Sequence, residues 1–164
     1  MDTNDSNATI PGQKAIISKS KKKTVLVIED ELDIQNFISR VLELEGYHML
    51  RAGDANTGLD AIRENSVDLV LLDLRLPGPD GWSVLREMKG TPALSKIPVV
   101  VITAIAESAQ RRRTLRMGAT QYLIKPLSAH SLSKTIADIL HQKASDYPIV
   151  RGHVVSRAPK YSAA

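Results

Sequence analysis

Short, continuous apolar runs alternate with helix-like segments along most of this chain. The clearest runs are Thr24–Ile28, Val67–Leu72, in which Asp68 is the one charged residue, and Pro98–Ile102. An apolar run without alternation is typical of a strand that is buried on both faces. Two shorter strand-like segments, near Tyr47–Ala52 and at Gln121–Ile124, bring the number of predicted strands to five. Because a helix follows each of them, we expect the strands to be parallel.

The helical segments show apolar residues at helical spacing and recognisable ends. In the first, Ile34, Ile38 and Val41 recur on one face, and Gly46 is placed to end the helix. The other predicted helices lie near 55–64, after the turn that ends at 81, at about 107–117 and at 128–142. Ser128 is a suitable N-cap for the last of these. The pattern predicts an α/β fold of three layers, with helices on both faces of the sheet.

Charge is distributed unevenly along the 164 residues. Residues 1–23 carry five Lys and two Asp, and residues 143–164 carry four basic residues and one Asp. These two segments hold +3 each, which leaves −2 of the overall +4 for residues 24–142. We interpret residues 1–23 and 143–164 as disordered basic tails around one globular domain at 24–142. Contact of the tails with nucleic acid or anionic lipid is the less favoured alternative to a solubilising role.

The composition argues against disulfides, thiolate metal sites and a membrane-spanning protein. The chain contains no cysteine, so it has neither disulfides nor thiolate metal sites, and a reducing cytoplasm is the expected location. No apolar run approaches the roughly 20 residues that a membrane-spanning helix needs. We therefore expect no membrane insertion and no secretory signal.

Polar residues stand where the predicted strands end. Glu29 and Asp30 follow the first strand, Asp73 follows the third, Thr103 ends the fourth and Lys125 follows the fifth. Ligands of parallel α/β sheets bind beyond the carboxyl ends of the strands, near the point where the strand order reverses. The sequence therefore predicts that these side chains meet at one edge of the sheet.

These residue types suit phosphoryl transfer. Asp73 is a carboxylate that can attack phosphorus, and a hard cation such as Mg²⁺ would neutralise the charge gathered there. Lys125 and Thr103 can neutralise and hydrogen-bond phosphoryl oxygens. Taken singly, each residue has an ordinary explanation: an N-cap for Asp30, turn chemistry for Asp73, a solvated amine for Lys125. Their convergence is what favours a functional site.

Four motifs resemble the receiver domain of bacterial response regulators. They are Val27–Asp30, Leu71–Gly81, Val101–Ala104 and Tyr122–Pro126. The intervals also match the family, since Asp30, Asp73, Thr103 and Lys125 are separated by 43, 30 and 22 residues. The resemblance covers about residues 23–142, and it implies a flavodoxin-like, doubly wound sheet of five parallel strands in the order 2-1-3-4-5 with five helices.

The resemblance also implies roles for individual residues. Asp73 would accept a phosphoryl group from a sensor histidine kinase or a histidine phosphotransfer protein. Glu29, Asp30, Asp73 and the backbone carbonyl of Arg75 would hold Mg²⁺. The chain would be a phosphoacceptor that assists its own phosphorylation and dephosphorylation, not an enzyme that acts on a separate substrate.

The same resemblance implies a switch. Thr103 and Tyr122 would be the switch residues, Lys125 would pair with the phosphoryl group, and the peptide bond from Lys125 to Pro126 would be cis. The surface of the fourth helix, fifth strand and fifth helix would then bind an unidentified downstream protein. The basic run Arg111–Arg113 on that surface is either a solvated helix face or part of the docking site.

Two rival functions are compatible with parts of this pattern. A haloacid-dehalogenase-like phosphatase also uses an aspartyl phosphate, but it places a second Asp two residues after the nucleophile, where this chain has Arg75. A pseudo-receiver that binds partners without phosphorylation would keep the fold and lose the site, whereas all five site residues are present here. No second core is predicted after Gln142, so we expect a stand-alone receiver or a piece of a longer protein.

Overall fold

The computed structural model describes residues 22–141. Its strands are β1 (Thr24–Ile28), β2 (His48–Ala52), β3 (Leu69–Leu72), β4 (Val99–Thr103) and β5 (Gln121–Ile124). Its helices are α1 (Leu32–Leu44), α2 (Ala55–Glu64), α3 (Gly81–Gly90), α4 (Ser108–Arg116) and α5 (Ala129–His141). Each predicted element is present, and the ends differ from the predicted ones by a few residues at most. The tails assigned to 1–23 and 143–164 lie almost wholly outside the described range, so their disorder stays a prediction.

The five strands form one parallel sheet in the order β2-β1-β3-β4-β5. This is the flavodoxin-like order that the sequence resemblance implied. The order reverses at β1, because β2 lies on one side of it and β3 on the other. Residues that follow β1 and β3 therefore flank the crevice in which such sheets bind their ligands.

Successive strand residues contribute to two different cores. In β1, Leu26 and Ile28 join one buried cluster, whereas Val25 and Val27 join the other. This alternation follows from the two-residue repeat of a strand. Helices α2 and α3 contribute to the first cluster, and α1 and α5 cover the second. The result is the predicted arrangement of three layers, and it explains why the strands show no polar alternation.

Helix ends follow the local sequence. Gly46 ends α1 with a φ of 79°, and the side chain of Asp80 begins α3 by accepting a hydrogen bond from the Ser83 amide at 2.9 Å. Ser128 Oγ accepts from the Ser131 amide at 3.1 Å, which confirms its predicted capping role. Among the described residues, no helix is long and apolar enough to span a membrane.

Candidate functional site

Backbone hydrogen bonds bring the ends of all five strands to one edge of the sheet. The Glu29 amide donates to Ala52 O at 3.0 Å, and the Asp73 amide donates to Ile28 O at 3.0 Å. Between β4 and β5, the Lys125 amide donates to Thr103 O at 2.9 Å. These bonds continue the ladders one residue past the strands, so the side chains that follow are held in register.

Three carboxylates converge at this edge. One oxygen each from Glu29, Asp30 and Asp73 lies within 4.8 Å of the others. Glu29 is fully buried and Asp73 is 3% exposed, whereas Asp30 is open to solvent. Buried carboxylates are unfavourable unless a cation faces them. This set of hard oxygen donors, open on one side, therefore fits a divalent cation such as Mg²⁺.

The Lys125 ammonium is the cation that faces the buried acids. Its Nζ donates to Asp73 Oδ2 at 2.7 Å and forms an ion pair with Glu29 Oε2 at 2.8 Å, while the side chain itself is 11% exposed. Burial raises the pKa of Glu29 above its usual value, although Lys125 opposes the shift. Burial lowers the pKa of Lys125, but its contacts with Asp73 and Glu29 outweigh this and raise the pKa overall. Lys125 thus stays charged beside the predicted phosphoacceptor.

A tight loop fixes the position of Asp73. The Arg75 amide donates to Asp73 Oδ1 at 3.0 Å, and the Gly81 amide donates to Leu74 O at 3.0 Å. A Cβ atom at Gly81 would lie 2.7 Å from Leu74 Cα, closer than such atoms approach each other. Only glycine therefore fits at this position. The role of the Arg75 carbonyl as a metal ligand stays a prediction.

The predicted switch residues share one backbone partner. Thr103 is buried, and its Oγ1 accepts a hydrogen bond from the Ile105 amide at 3.4 Å. Tyr122 is buried as well, and its hydroxyl donates to Ile105 O at 2.7 Å. The two side chains are therefore linked through the peptide groups of one residue. The bond from Lys125 to Pro126 is cis, as the resemblance implied.

The structure adds two residues that the sequence reading did not place at the site. Gln35 is buried, and its Nε2 donates to the backbone oxygens of Glu29 and Ala52. In the sequence, Gln35 is a polar residue on the apolar face of the first predicted helix, and this position was the available signal of a buried role. The second residue is Glu31, whose Oε1 lies 3.4 Å from Lys125 Nζ. Asp30 is not the cap of this helix, since the N-cap position is Glu31.

Comparison with known proteins identifies the family. The family described as the response regulator receiver domain matches residues 25–137. The chain belongs to this family, and so to the receiver domains of two-component signalling. It is 34% identical over 120 residues to the phosphate regulon transcriptional regulatory protein of Escherichia coli, covering 73% of this chain and 52% of that protein. It is 31% identical over 122 residues to a probable transcriptional regulator of Porphyridium aerugineum, covering 74% and 50%. The chain thus spans about half the length of these curated relatives.

Solved structures agree with this assignment. A putative response regulator from Chloroflexus aurantiacus has a TM-score of 0.71 at 27% identity, covering 74% of this chain and all of its own. The receiver domain of a sensor histidine kinase from Pseudomonas aeruginosa has a TM-score of 0.68 at 26% identity, covering 74% of this chain and 100% of its own. In that neighbour a magnesium ion is coordinated in the active-site cleft.

Proposed function

We propose that Asp73 accepts a phosphoryl group in a Mg²⁺-dependent reaction. A carboxylate oxygen of Asp73 forms a bond to phosphorus, and the bond between phosphorus and the imidazole nitrogen of a donor phosphohistidine breaks. The observation that carries the proposal is the buried cluster in which Asp73 meets both Glu29 and the Lys125 ammonium. A site built only for stability would not gather two buried carboxylates around one lysine.

Each site residue has a specific part in this reaction. Glu29, Asp30 and Asp73 would hold Mg²⁺, which supplies positive charge against the phosphoryl oxygens. Lys125 Nζ, already 2.7 Å from Asp73 Oδ2, pairs with another phosphoryl oxygen. Thr103 exchanges its bond with the Ile105 amide for one to the phosphoryl group. The chain acts as a phosphoacceptor that assists its own phosphorylation and dephosphorylation, and not as an enzyme with a separate substrate.

The proposal extends to partners. Receiver domains in general interact with histidine kinases and with downstream proteins; for this chain we propose a sensor histidine kinase or a histidine phosphotransfer protein as the donor. The downstream protein would bind the surface formed by α4, β5 and α5. Arg111, Arg112 and Arg113 are exposed there, and within residues 22–141 none of them pairs with a carboxylate. The cytoplasmic location remains a prediction.

The test is direct phosphorylation. The full chain is incubated with Mg²⁺ and acetyl phosphate, and its intact mass is measured. We expect one labile phosphoryl adduct on the wild type, and none on Asp73→Asn or after chelation of the metal. A folded wild-type protein that takes up no phosphoryl group would refute the proposal and favour a pseudo-receiver that binds its partners without phosphorylation.

A further inference from the structure

Glu31 places an extra negative charge beside the phosphate-pairing lysine. Its Oε1 lies 3.4 Å from Lys125 Nζ, and the same Nζ lies 2.7 Å from Asp73 Oδ2. The distance from Glu31 Oε1 to Asp73 Oδ2 is therefore at most the sum of these two distances. Lys125 Nζ already pairs with Glu29 and Asp73, so Glu31 is the third carboxylate in contact with the same ammonium group.

A contribution to stability does not explain this contact. The Glu31 side chain is 63% exposed, and an exposed ion pair contributes little. Glu31 is the N-cap residue of α1, but its side chain makes no capping hydrogen bond. The residue can therefore lose its charge without a loss of structure.

The position of Glu31 matters when an anion approaches Lys125. An open cleft of about 480 Å³ lies beside the lysine. Its lining residues are Glu31, Asp33, Ile34, Phe37, Lys125, Pro126 and Leu127. Both Glu31 and Asp33 are exposed acids, so a free anion that enters this cleft meets their negative charge beside the ammonium.

We propose that Glu31 is a specificity-determining residue that disfavours small anionic phosphodonors. It repels the donor and competes with the phosphoryl oxygens for Lys125. The effect grows with the donor's negative charge, so dianionic acetyl phosphate is disfavoured more than phosphoramidate, which carries one negative charge fewer at neutral pH. This inference rests on the proposed phosphorylation of Asp73.

The reaction used as the test is a simple displacement. An Asp73 oxygen bonds to phosphorus, the bond from phosphorus to the bridging oxygen of acetyl phosphate breaks, and acetate leaves with the electron pair. The full chain and Glu31→Gln are compared at equal Mg²⁺ occupancy. We expect the second-order rate constant with acetyl phosphate to rise roughly three- to tenfold, the effect of one unit charge at about 6 Å in a partly hydrated site. With phosphoramidate the rise in the rate constant should be smaller. In about 0.5 M salt the rises with both donors should shrink.

A second measurement needs no phosphoryl transfer. Titration of Mg²⁺ alone into each protein by calorimetry should show weaker binding to Glu31→Gln, with a dissociation constant about two- to fivefold higher. Faster reaction with an anion and weaker binding of a cation are opposite changes, and only a loss of negative charge produces both. Glu64→Gln is the matched control, because Glu64 is exposed and ends α2 at the opposite edge of the sheet.

The outcomes separate this inference from the proposed function. A phosphorylated wild type whose Glu31→Gln variant reacts at the same rate overturns the role of Glu31 alone. Equal acceleration with both donors, or a rate that falls, also overturns it, because neither follows from repulsion. A wild type without any adduct overturns the role of Glu31 together with the proposed function.

Discussion

Replacing Lys125 with Met tests what holds the acidic site together. Within residues 22–141, Lys125 is the one basic side chain paired with Glu29 or Asp73. Methionine keeps much of the apolar stem and removes the charge. Two carboxylates, one fully buried and one nearly so, would then face each other without a cation.

The size of the effect follows from this burial. Removing one partner of a buried ion pair costs about 3–5 kcal/mol. Protonation of Glu29 limits the cost, because neutralising a carboxyl whose unfolded pKa is about 4.3 requires roughly 3–4 kcal/mol at pH 7. We therefore expect Lys125→Met to lower the free energy of unfolding by about 3 kcal/mol at pH 7 without Mg²⁺.

The loss should depend on pH in a defined direction. Burial already raises the pKa of Glu29 in the folded wild type, and removal of Lys125 raises it further. The folded state then binds a proton more readily than the unfolded state, so the variant gains stability as the pH falls from neutral towards about 4.3. At pH 5 the difference from wild type should shrink to about 1 kcal/mol. Added Mg²⁺ should also restore stability at pH 7.

Urea unfolding measures these differences. Trp82 is the one tryptophan of the chain, so its fluorescence gives a single probe. Lys134→Met is the control, because the Lys134–Asp138 pair is exposed on α5 and its loss should cost less than about 0.5 kcal/mol. A loss below about 1 kcal/mol for Lys125→Met at pH 7, or one that does not change at pH 5, would refute the reasoning.

Two further substitutions test the loop and the switch. Gly81→Ala should destabilise the fold by about 3 kcal/mol and slow phosphorylation, because the new Cβ atom meets the backbone of Leu74 and Asp73. Gly90→Ala is the control, since a Cβ atom at Gly90 has open space. Equal urea midpoints for the two variants would contradict this prediction. Tyr122→Phe should cost about 1 kcal/mol in the same assay, since it removes the 2.7 Å hydrogen bond to Ile105 O. An unchanged midpoint would show that this bond does not contribute to stability.

Much of the fold could be predicted because its signals are local. The apolar run of β1 indicates burial on both faces whatever its neighbours are, and Gly46 marks the end of α1 through its own backbone freedom. The predicted site residues depend on one further rule, that parallel strands end at a common edge. Glu29, Asp73 and Lys125 could therefore be expected to meet before any distance was known.

Other features arise only when distant segments pack. Glu31 follows β1 and Lys125 follows β5, and nothing in either segment predicts their contact at 3.4 Å. Gln35 likewise finds its acceptors in the backbone of two different strands. The sequence by itself determined the elements, their order and the chemistry gathered at one edge. Tertiary structure decided which groups share a partner, because that depends on side-chain directions and burial across the whole sheet.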